Sequence, residues 1–430
     1  MDGLSVFKFG GASVRDAEAV RNVAHILRGY SDRNLVIIVS AMGKTTNALE
    51  RLVNAYFEQG DWARELDEII AYHADIMAAL FPAEDHPVHA TAGKVYDYIR
   101  RFLEQEELDF YDYVYDQIVP AGELLSTKLV HAFLEQEGLQ ASWLDARKVI
   151  RTDDHYREAN VQWEETAEKL QKALEEMEVE AAARGKIIVT QGFIGATRDN
   201  RMTSLGREGS DYSAAIIAYA MDAEETVIWK DVPGMLNADP KWFNNTTKLR
   251  NISYREAIEL AYFGASVIHP KTVKPLQNKQ IPLRVRSFLD PEEEGTLIDR
   301  NTSQDSLVPS YIFKQRQVLI SISPRDFSFI AEDNLSDVFA HFSACGVSIN
   351  TMQNSAISFS VSVDADAQRI PKLIEALQQD YAVKYNENLQ LLTIRHYDDR
   401  TIEQLTEHKE VLLEQRSRQT IRLLMKEKLA

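Results

Sequence analysis

LSVFKFGGASVRDAEAVRNVAHILRGYSDRNLVIIV, residues 4–39, decides the fold. A short apolar run, 4–9, stops at Gly10-Gly11. Residues 15–29 carry Val20, Val23, Ala24 and Leu27 at helical spacing. Residues 35–39 (LVIIV) are an unbroken apolar, largely β-branched run, which suits a strand buried on both faces. Strand, glycine turn, helix, strand is a βαβ unit.

Working outward, helical patterning runs from about Asn47 to Leu139 with a break near 81–87, and again over 162–184, where Gly185 is placed to end it as a C-cap glycine. Residues 186–195 (KIIVTQGFIG) read as a strand entering a glycine-rich loop. Ser210 or Asp211, both good N-cap types, opens a helix to about Tyr219, and 226–232 (TVIWKDV) is the next strand. This alternation predicts an α/β fold, a mostly parallel central sheet with helices on both faces. Residues 288–310 are rich in Asp, Glu, Ser, Pro and Gly and read as a linker. Beyond them the texture changes. Strand 317–323, helix 335–346, strands VSINTMQ and AISFSVSVD, and helix 367–379 lead to LQLLTIRHY, TIEQLTEHKEVLLEQ and RQTIRLLMKE, read as strand, helix, strand. The tail is one small α+β βαββαβ unit and a shortened second one.

With 430 residues, two or three domains are expected. The formal net charge of −18 argues against a nucleic-acid surface, which needs clustered Lys and Arg, and against anionic membranes. It does not exclude an anionic substrate, since a few local cations suffice. Cys345 is the only cysteine, so no internal disulfide framework exists, and neither a leader-like segment nor an 18-residue apolar run is present. The chain reads as cytoplasmic.

Four glycine-rich or polar loops follow apolar strands: KFGGAS (8–13), SAMGKTTN (40–47), QGFIG (191–195) and GREGSD (206–211). Loops at the C-terminal ends of parallel strands are where open α/β sheets bind ligands. Their glycines admit phosphate oxygens to backbone N–H groups, and a following helix N-terminus adds a favourable dipole. AMGKTT is not a Walker A loop: that spacing requires glycine at position 38, where Ile38 stands.

KFGGASV resembles the opening of the aspartokinase family, and SLGREGSDYSAA, WKDVPGMLNADPK and FGASVIHP are similar to three further segments of that family, in order and at the expected spacing. The tail resembles its amino-acid-sensing ACT domains. The resemblance implies an amino-acid-kinase catalytic domain at 1–290, a linker at 291–312, and ACT-like domains at 313–386 and 387–430. It implies transfer of the γ-phosphate of ATP, brought with Mg²⁺, to the side-chain carboxylate of L-aspartate. That is the first step toward lysine, threonine and methionine. The resemblance also implies partners: a homodimer or larger homo-oligomer, and lysine or threonine as effector.

Roles carry over position by position. Lys8 matches the lysine that reaches the transferring phosphoryl group, and Asp211 a site aspartate; these are the expected catalytic pair. Gly10, Gly11 and Ser13 match the phosphate cradle. Arg207 matches the clamp on the substrate α-carboxylate, for which a planar fork is suited. Glu123 matches the glutamate near its amine. Ser40, Thr46, Phe193 and Ser210 complete the substrate set. Lys230, Asp231 and Lys241 match nucleotide contacts. Leu236 and Ser266 stand at two more, replacing a residue often aromatic and a lysine. Glu208 stands where glycine is usual. A carboxylate nucleophile is already ionised at neutral pH, so no histidine base is needed, and His269 reads as structural. Phosphate oxygens would hold Mg²⁺, and no protein metal cage is visible.

Asn350 stands where an amine-binding aspartate is common, so feedback is expected to be weakened or altered; the alternative is a tail that mainly joins subunits. Two other readings compete: a sister kinase acting on glutamate, opposed by GREGSDYSAA with the ACT-like tail, and a catalytically inactive sensor, opposed by Lys8, Arg207 and Asp211. A fused homoserine dehydrogenase is not expected, since no GxGxxG follows a strand.

Overall fold

The computed structural model describes residues 3–105, 110–181, 187–265, 267–326 and 328–428. Gly185 and Ser266 lie outside them. The chain divides into two compact units, one comprising 1–235, 248–258 and 267–302, the other 236–247, 259–266 and 303–430.

In chain order the first unit begins β1 (Leu4–Phe9), α1 (Ala17–Arg28), β2 (Asn34–Val39), α2 (Thr45–Phe57), α3 (Trp62–Leu80), α4 (Pro87–Leu103), α5 (Tyr111–Ile118) and α6 (Ala121–Gln136). It continues β3 (Ala141–Leu144), α7 (Ala146–Val149), α8 (Trp163–Ala181), β4 (Ile187–Gln191), β5 (Ile194–Ala196), β6 (Met202–Ser204), α9 (Gly209–Ala220) and β7 (Glu225–Lys230). Then come β8 (Asn251–Ser253), α10 (Tyr254–Phe263), through which the division passes, α11 (Pro270–Lys279), β9 (Leu283–Ser287) and β10 (Thr296–Asp299).

Eight strands form one sheet in the order β3-β4-β2-β1-β7-β9-β10-β8, parallel except at β9–β10. β1 lies between β2 and β7, both parallel to it. All six β1 residues are buried, and their alternation divides them between the faces. Phe7 and Phe9 join a core with Leu35, Ile37, Val39, Val227, Trp229 and residues of α1, α3, α4 and α6. The other face carries Lys8, and α9 packs there against β1, β2 and β7, itself flanked by α8 and α11. Nearly every α9 residue is buried, which its Ser-Ala-Ala-Ile-Ile run permits. The expected sheet with helices on both faces is present. α1 starts where Asp16 accepts from the Ala19 N–H at 2.8 Å, and its buried stripe is the expected one.

Three expectations are corrected. Residues 296–299, inside the stretch read as linker, form β10: Thr296 is fully buried and its hydroxyl accepts from Met235 N at 2.8 Å and donates to the Leu249 carbonyl at 2.6 Å. α9 begins at Gly209, not at Ser210 or Asp211. Its N-cap is Glu208 in the left-handed region, which leaves Ser210 and Asp211 in the first turn. The stretch read as one helix over 401–415 is a helix and a strand.

The second unit carries β11 (Ser310–Pro324), α12 (Glu332–Ala344), β12 (Ile349–Asn354), β13 (Phe359–Asp364), α13 (Arg369–Asp380), β14 (Tyr381–Arg395), α14 (Asp399–Thr406), β15 (Lys409–Arg416) and β16 (Thr420–Glu427). Its six-stranded antiparallel sheet runs β12-β13-β11-β14-β16-β15. β14 pairs with β11 along its length and with β16 over its C-terminal part. α12 and α13 cover one core around Val318, Ile320, Val361, Leu373 and Leu377. The segment after the DVPG motif belongs to this unit, where Phe243 stacks on Tyr311 at 5.4 Å and Tyr311 N donates to the Asn237 carbonyl at 2.6 Å. No described helix is long and apolar enough to cross a membrane.

Candidate active site

At the C-terminal end of β1 the sheet order reverses, with β2 on one side and β7 on the other. That switch point is where open α/β sheets hold ligands. A cavity of about 550 Å³ lies in this unit, lined by Lys8, Ser40, Thr46, Glu123, Phe193, Arg207, Ser210 and Asp211. All eight catalytic or substrate-contact residues expected from sequence therefore share one cavity. Asn47, Glu50, Tyr115, Arg157 and Glu208 line it as well.

Its centre is a chain of charges. The β1 alternation that buries Phe7 and Phe9 on one face turns Lys8 toward α9, where its Nζ lies 2.6 Å from Asp211 Oδ1. β7 repeats the pattern: Val227 and Trp229 join the Phe7 core, and Lys230 turns the other way, 3.1 Å from Asp211 Oδ2. Lys230 also donates to the Val267 carbonyl and lies 3.6 Å from Glu208. Burial pushes the Asp211 carboxyl up, but the two ammonium groups outweigh it and hold it at about 2. Burial alone would pull Lys230 down; Asp211 and Glu208 keep it above the ordinary lysine range. Asp211 is thus a fixed anion that keeps two cations side by side in a buried place.

The glycines make room. A Cβ on Gly10 would sit 3.3 Å from Lys8 Nζ. One on Gly11 would meet the Gly43 carbonyl oxygen at 2.7 Å, so the 8–13 and 40–47 loops can touch, and Gly43 N donates to Gly11 O at 3.0 Å. Ser13 is buried and its Oγ has no hydrogen-bond partner among the described residues. Ammonium groups, a glycine turn, an orphan hydroxyl and the α9 N-terminus together fit a phosphate group. The Asp211 carboxylate nearest these cations is already engaged by both of them.

Glu123, in the first turn of α6, is buried and accepts from Ala41 N at 3.3 Å; its second oxygen has no partner among the described residues. Burial raises its carboxyl to about 8 against the pull of Ala41 N–H and Lys8. Arg207 is exposed and makes no ion pair among the described residues. The structure thus puts a free guanidinium and a desolvated carboxyl on one cavity. Phe193 has φ 70° and donates its N–H to Ser213 Oγ at 2.9 Å. Asp231 is exposed just beyond β7. Leu236 and Lys241 belong to the second unit, and Lys241 N caps onto Asp239 at 2.9 Å. His269 caps α11 through Lys271 N, the structural role expected of it.

Residues 3–287 match the amino acid kinase family. Over 367 residues the chain is 32% identical to the lysine-sensitive aspartokinase 3 of Escherichia coli (strain K12), covering 85% of this chain and 79% of that protein. The chain belongs to the aspartokinase family. Aspartokinase 1, chloroplastic, of Arabidopsis thaliana is 30% identical over 398 residues, 90% of this chain and 68% of that one. Among solved structures, E. coli aspartokinase III in complex with aspartate and ADP superposes with a TM-score of 0.80 at 27% identity, covering 98% of this chain and 96% of that one. The same enzyme in complex with lysine and aspartate gives 0.82 at 28%, with the same coverage.

Against the aspartokinase motifs, Glu208 was read only as a departure and Arg157 was not read at all. Glu208 has φ 56° and ψ 26°, the left-handed conformation that explains the glycine usual at this place; holding it there with a side chain costs about 1 kcal/mol. Burial raises its carboxyl, partly offset by Lys230. Arg157 reaches the cavity from a loop with no motif. Buried Asp116, raised to about 6 by burial, anchors that loop by accepting from Arg157 N at 2.9 Å and Ser204 Oγ at 2.6 Å. No sequence signal near Arg157 marks it; a buried acid in a helix facing a remote serine is visible only in three dimensions.

Proposed function

We propose that this aspartokinase-family chain transfers the γ-phosphate of ATP to the side-chain carboxylate of L-aspartate, giving 4-phospho-L-aspartate and ADP at the head of the route to lysine, threonine and methionine. The observation that carries the reading is the buried Lys8–Asp211–Lys230 chain in the same cavity as Glu123 and Arg207. Phosphoryl transfer asks a protein mainly for positioning and charge stabilisation. Lys8 meets the negative charge that spreads over the transferring phosphoryl oxygens. Lys230 and the 8–13 turn hold the remaining phosphates, and Mg²⁺ brought with ATP would add charge stabilisation there. Asp211 positions both lysines and takes no proton. The substrate carboxylate attacks phosphorus, the bridging P–O bond breaks, and ADP leaves. Arg207 forks onto the α-carboxylate, while Glu123 receives the α-ammonium with Ser40, Thr46, Phe193 and Ser210 around it. Asp231, Leu236, Lys241 and Ser266 are assigned to the nucleotide on their motif positions.

The test is full-length protein with Mg-ATP, hydroxylamine and single amino acids. An acyl hydroxamate with L-aspartate, lost in Lys8→Ala, is expected; product with glutamate instead would move the reading to a sister kinase, and none with any amino acid to a sensor. The low cysteine content supports a reducing, cytoplasmic setting. The ACT-like second unit supports a homo-oligomer with lysine or threonine as effector. Its Asn350 is already engaged, accepting from Lys314 Nζ at 2.7 Å and donating to Gln317 at 2.8 Å and Asp364 at 3.0 Å. Weakened feedback follows: either effector added to the same assay should change the rate by less than the ~5-fold at the low end of ordinary allosteric coupling.

A further inference from the structure

Lys230 has three donors and three partners: Asp211 Oδ2 at 3.1 Å, Glu208 Oε2 at 3.6 Å and the Val267 carbonyl. A phosphate oxygen that binds this ammonium must displace one of them. Asp211 is fully buried and also holds Lys8 at 2.6 Å, so moving it would strand two cations. The Val267 carbonyl is backbone. The Glu208 side chain is about one-third exposed, at 32%, and it sits on the loop before α9, where its contact is the longest of the ion pairs in the chain of charges. It lines the cavity beside Ser210 and Asp211.

We propose that Glu208 is a displaceable counter-ion for Lys230, a positioning residue that pairs with the lysine in the nucleotide-free enzyme and is expelled from it by the terminal phosphates of ATP. The inference rests on the reading of Lys230 as a phosphate contact. It makes Glu208 and phosphate competitors for one cation. The charged groups facing Glu208 are Lys230 from β7, Asp211 from α9 and Lys8 from β1; Arg207 is its chain neighbour. Protonating Glu208 removes the competitor and also a negative charge near the nucleotide, so ATP affinity falls as pH rises through the Glu208 titration. Burial moves that titration upward against the pull of Lys230, and Asp211 adds to the rise.

The experiment measures KM and kcat for MgATP across mildly acid to mildly alkaline pH, with ADP binding to the full-length protein by calorimetry as a readout independent of turnover. Glu208→Gln keeps the shape and removes the charge. It is expected to lower KM for MgATP by ~5–10-fold near neutral pH, to tighten ADP to a similar degree, to move kcat less, and to flatten the pH dependence of KM. Glu208→Asp should keep the parental pH dependence, which a merely structural role would not do. A rise in KM for MgATP in Glu208→Gln would overturn the inference and point to Glu208 as a ligand of the divalent cation. A parental KM and pH slope in Glu208→Gln, with Lys230→Ala raising KM, would overturn the inference alone. If Lys230→Ala leaves KM and ADP affinity at parental values, the phosphate reading of Lys230 falls and the inference with it.

Discussion

Glu123 holds one oxygen on the Ala41 N–H and offers the other to the cavity. With its carboxyl raised to about 8, it is protonated in the ligand-free enzyme at neutral pH and must ionise to receive an ammonium group. Aspartate binding should therefore release a proton, and KM for aspartate should fall as pH rises toward 8, which calorimetry in buffers of different ionisation enthalpy would check. The sign for stability is opposite. A folded carboxyl pKa raised above its unfolded value contributes stability that is full below the unfolded pKa and is lost as pH rises through about 8. Glu123→Gln should then lose ~30-fold or more in kcat/KM for aspartate while becoming less sensitive to alkaline denaturation. Lys8 and Asp211 were legible at this scale because each sits in a motif and because strand alternation puts Lys8 opposite a Phe7/Phe9 face. Glu208 was visible only as a departure. Its left-handed backbone and its pairing with Lys230 depend on where β7 ends in space, 22 residues away in sequence numbering from 208 to 230.

Elements set the site by close approach. A Cβ on Gly192 would fall 2.5 Å from Ser210 Cβ and 2.8 Å from Ser210 Cα, so the turn after β4 and the first turn of α9 are fitted to each other. Gly192→Ala should cost ~1–3 kcal/mol in denaturant unfolding and raise KM for both substrates, because α9 carries Ser210 and Asp211. β10 offers a test of a different kind. Thr296→Val keeps the shape but leaves the Met235 N–H without its partner, and a loss of ~1–3 kcal/mol is expected. β10 was not legible because its acidic and proline-rich flanks dominate the composition, and a four-residue strand shows no period of its own. The 401–415 stretch misled for another reason. Apolar residues at helical spacing in its first half are real, but Lys409–Arg416 is claimed by β16, which pairs with it from Lys409 to Arg416.

Across the whole molecule, a net charge of −18 means self-repulsion in the folded state. Moderate salt should raise the thermal midpoint at neutral pH by screening it, as a melt series in sodium chloride would show; a fall would mean that attractive ion pairs dominate. The parallel sheet was the most legible feature at this scale, because βαβ alternation leaves few other arrangements. The membership of 236–247 in the second unit was not, since packing of Phe243 on Tyr311 joins segments 68 positions apart, from 243 to 311.

β14 runs unbroken from Tyr381 to Arg395 and belongs at once to both halves of the tail, with β11 beside its full length and β16 beside its end. A cut between 386 and 387, where the sequence suggested a boundary, would sever this shared strand and leave the 310–314 half of β11 without its neighbour. The two halves of the tail are therefore heritable only as a single cassette: recombination that swaps one for a homologue must enter before β11 or break the sheet, and the sequence of either half evolves with the other in tow.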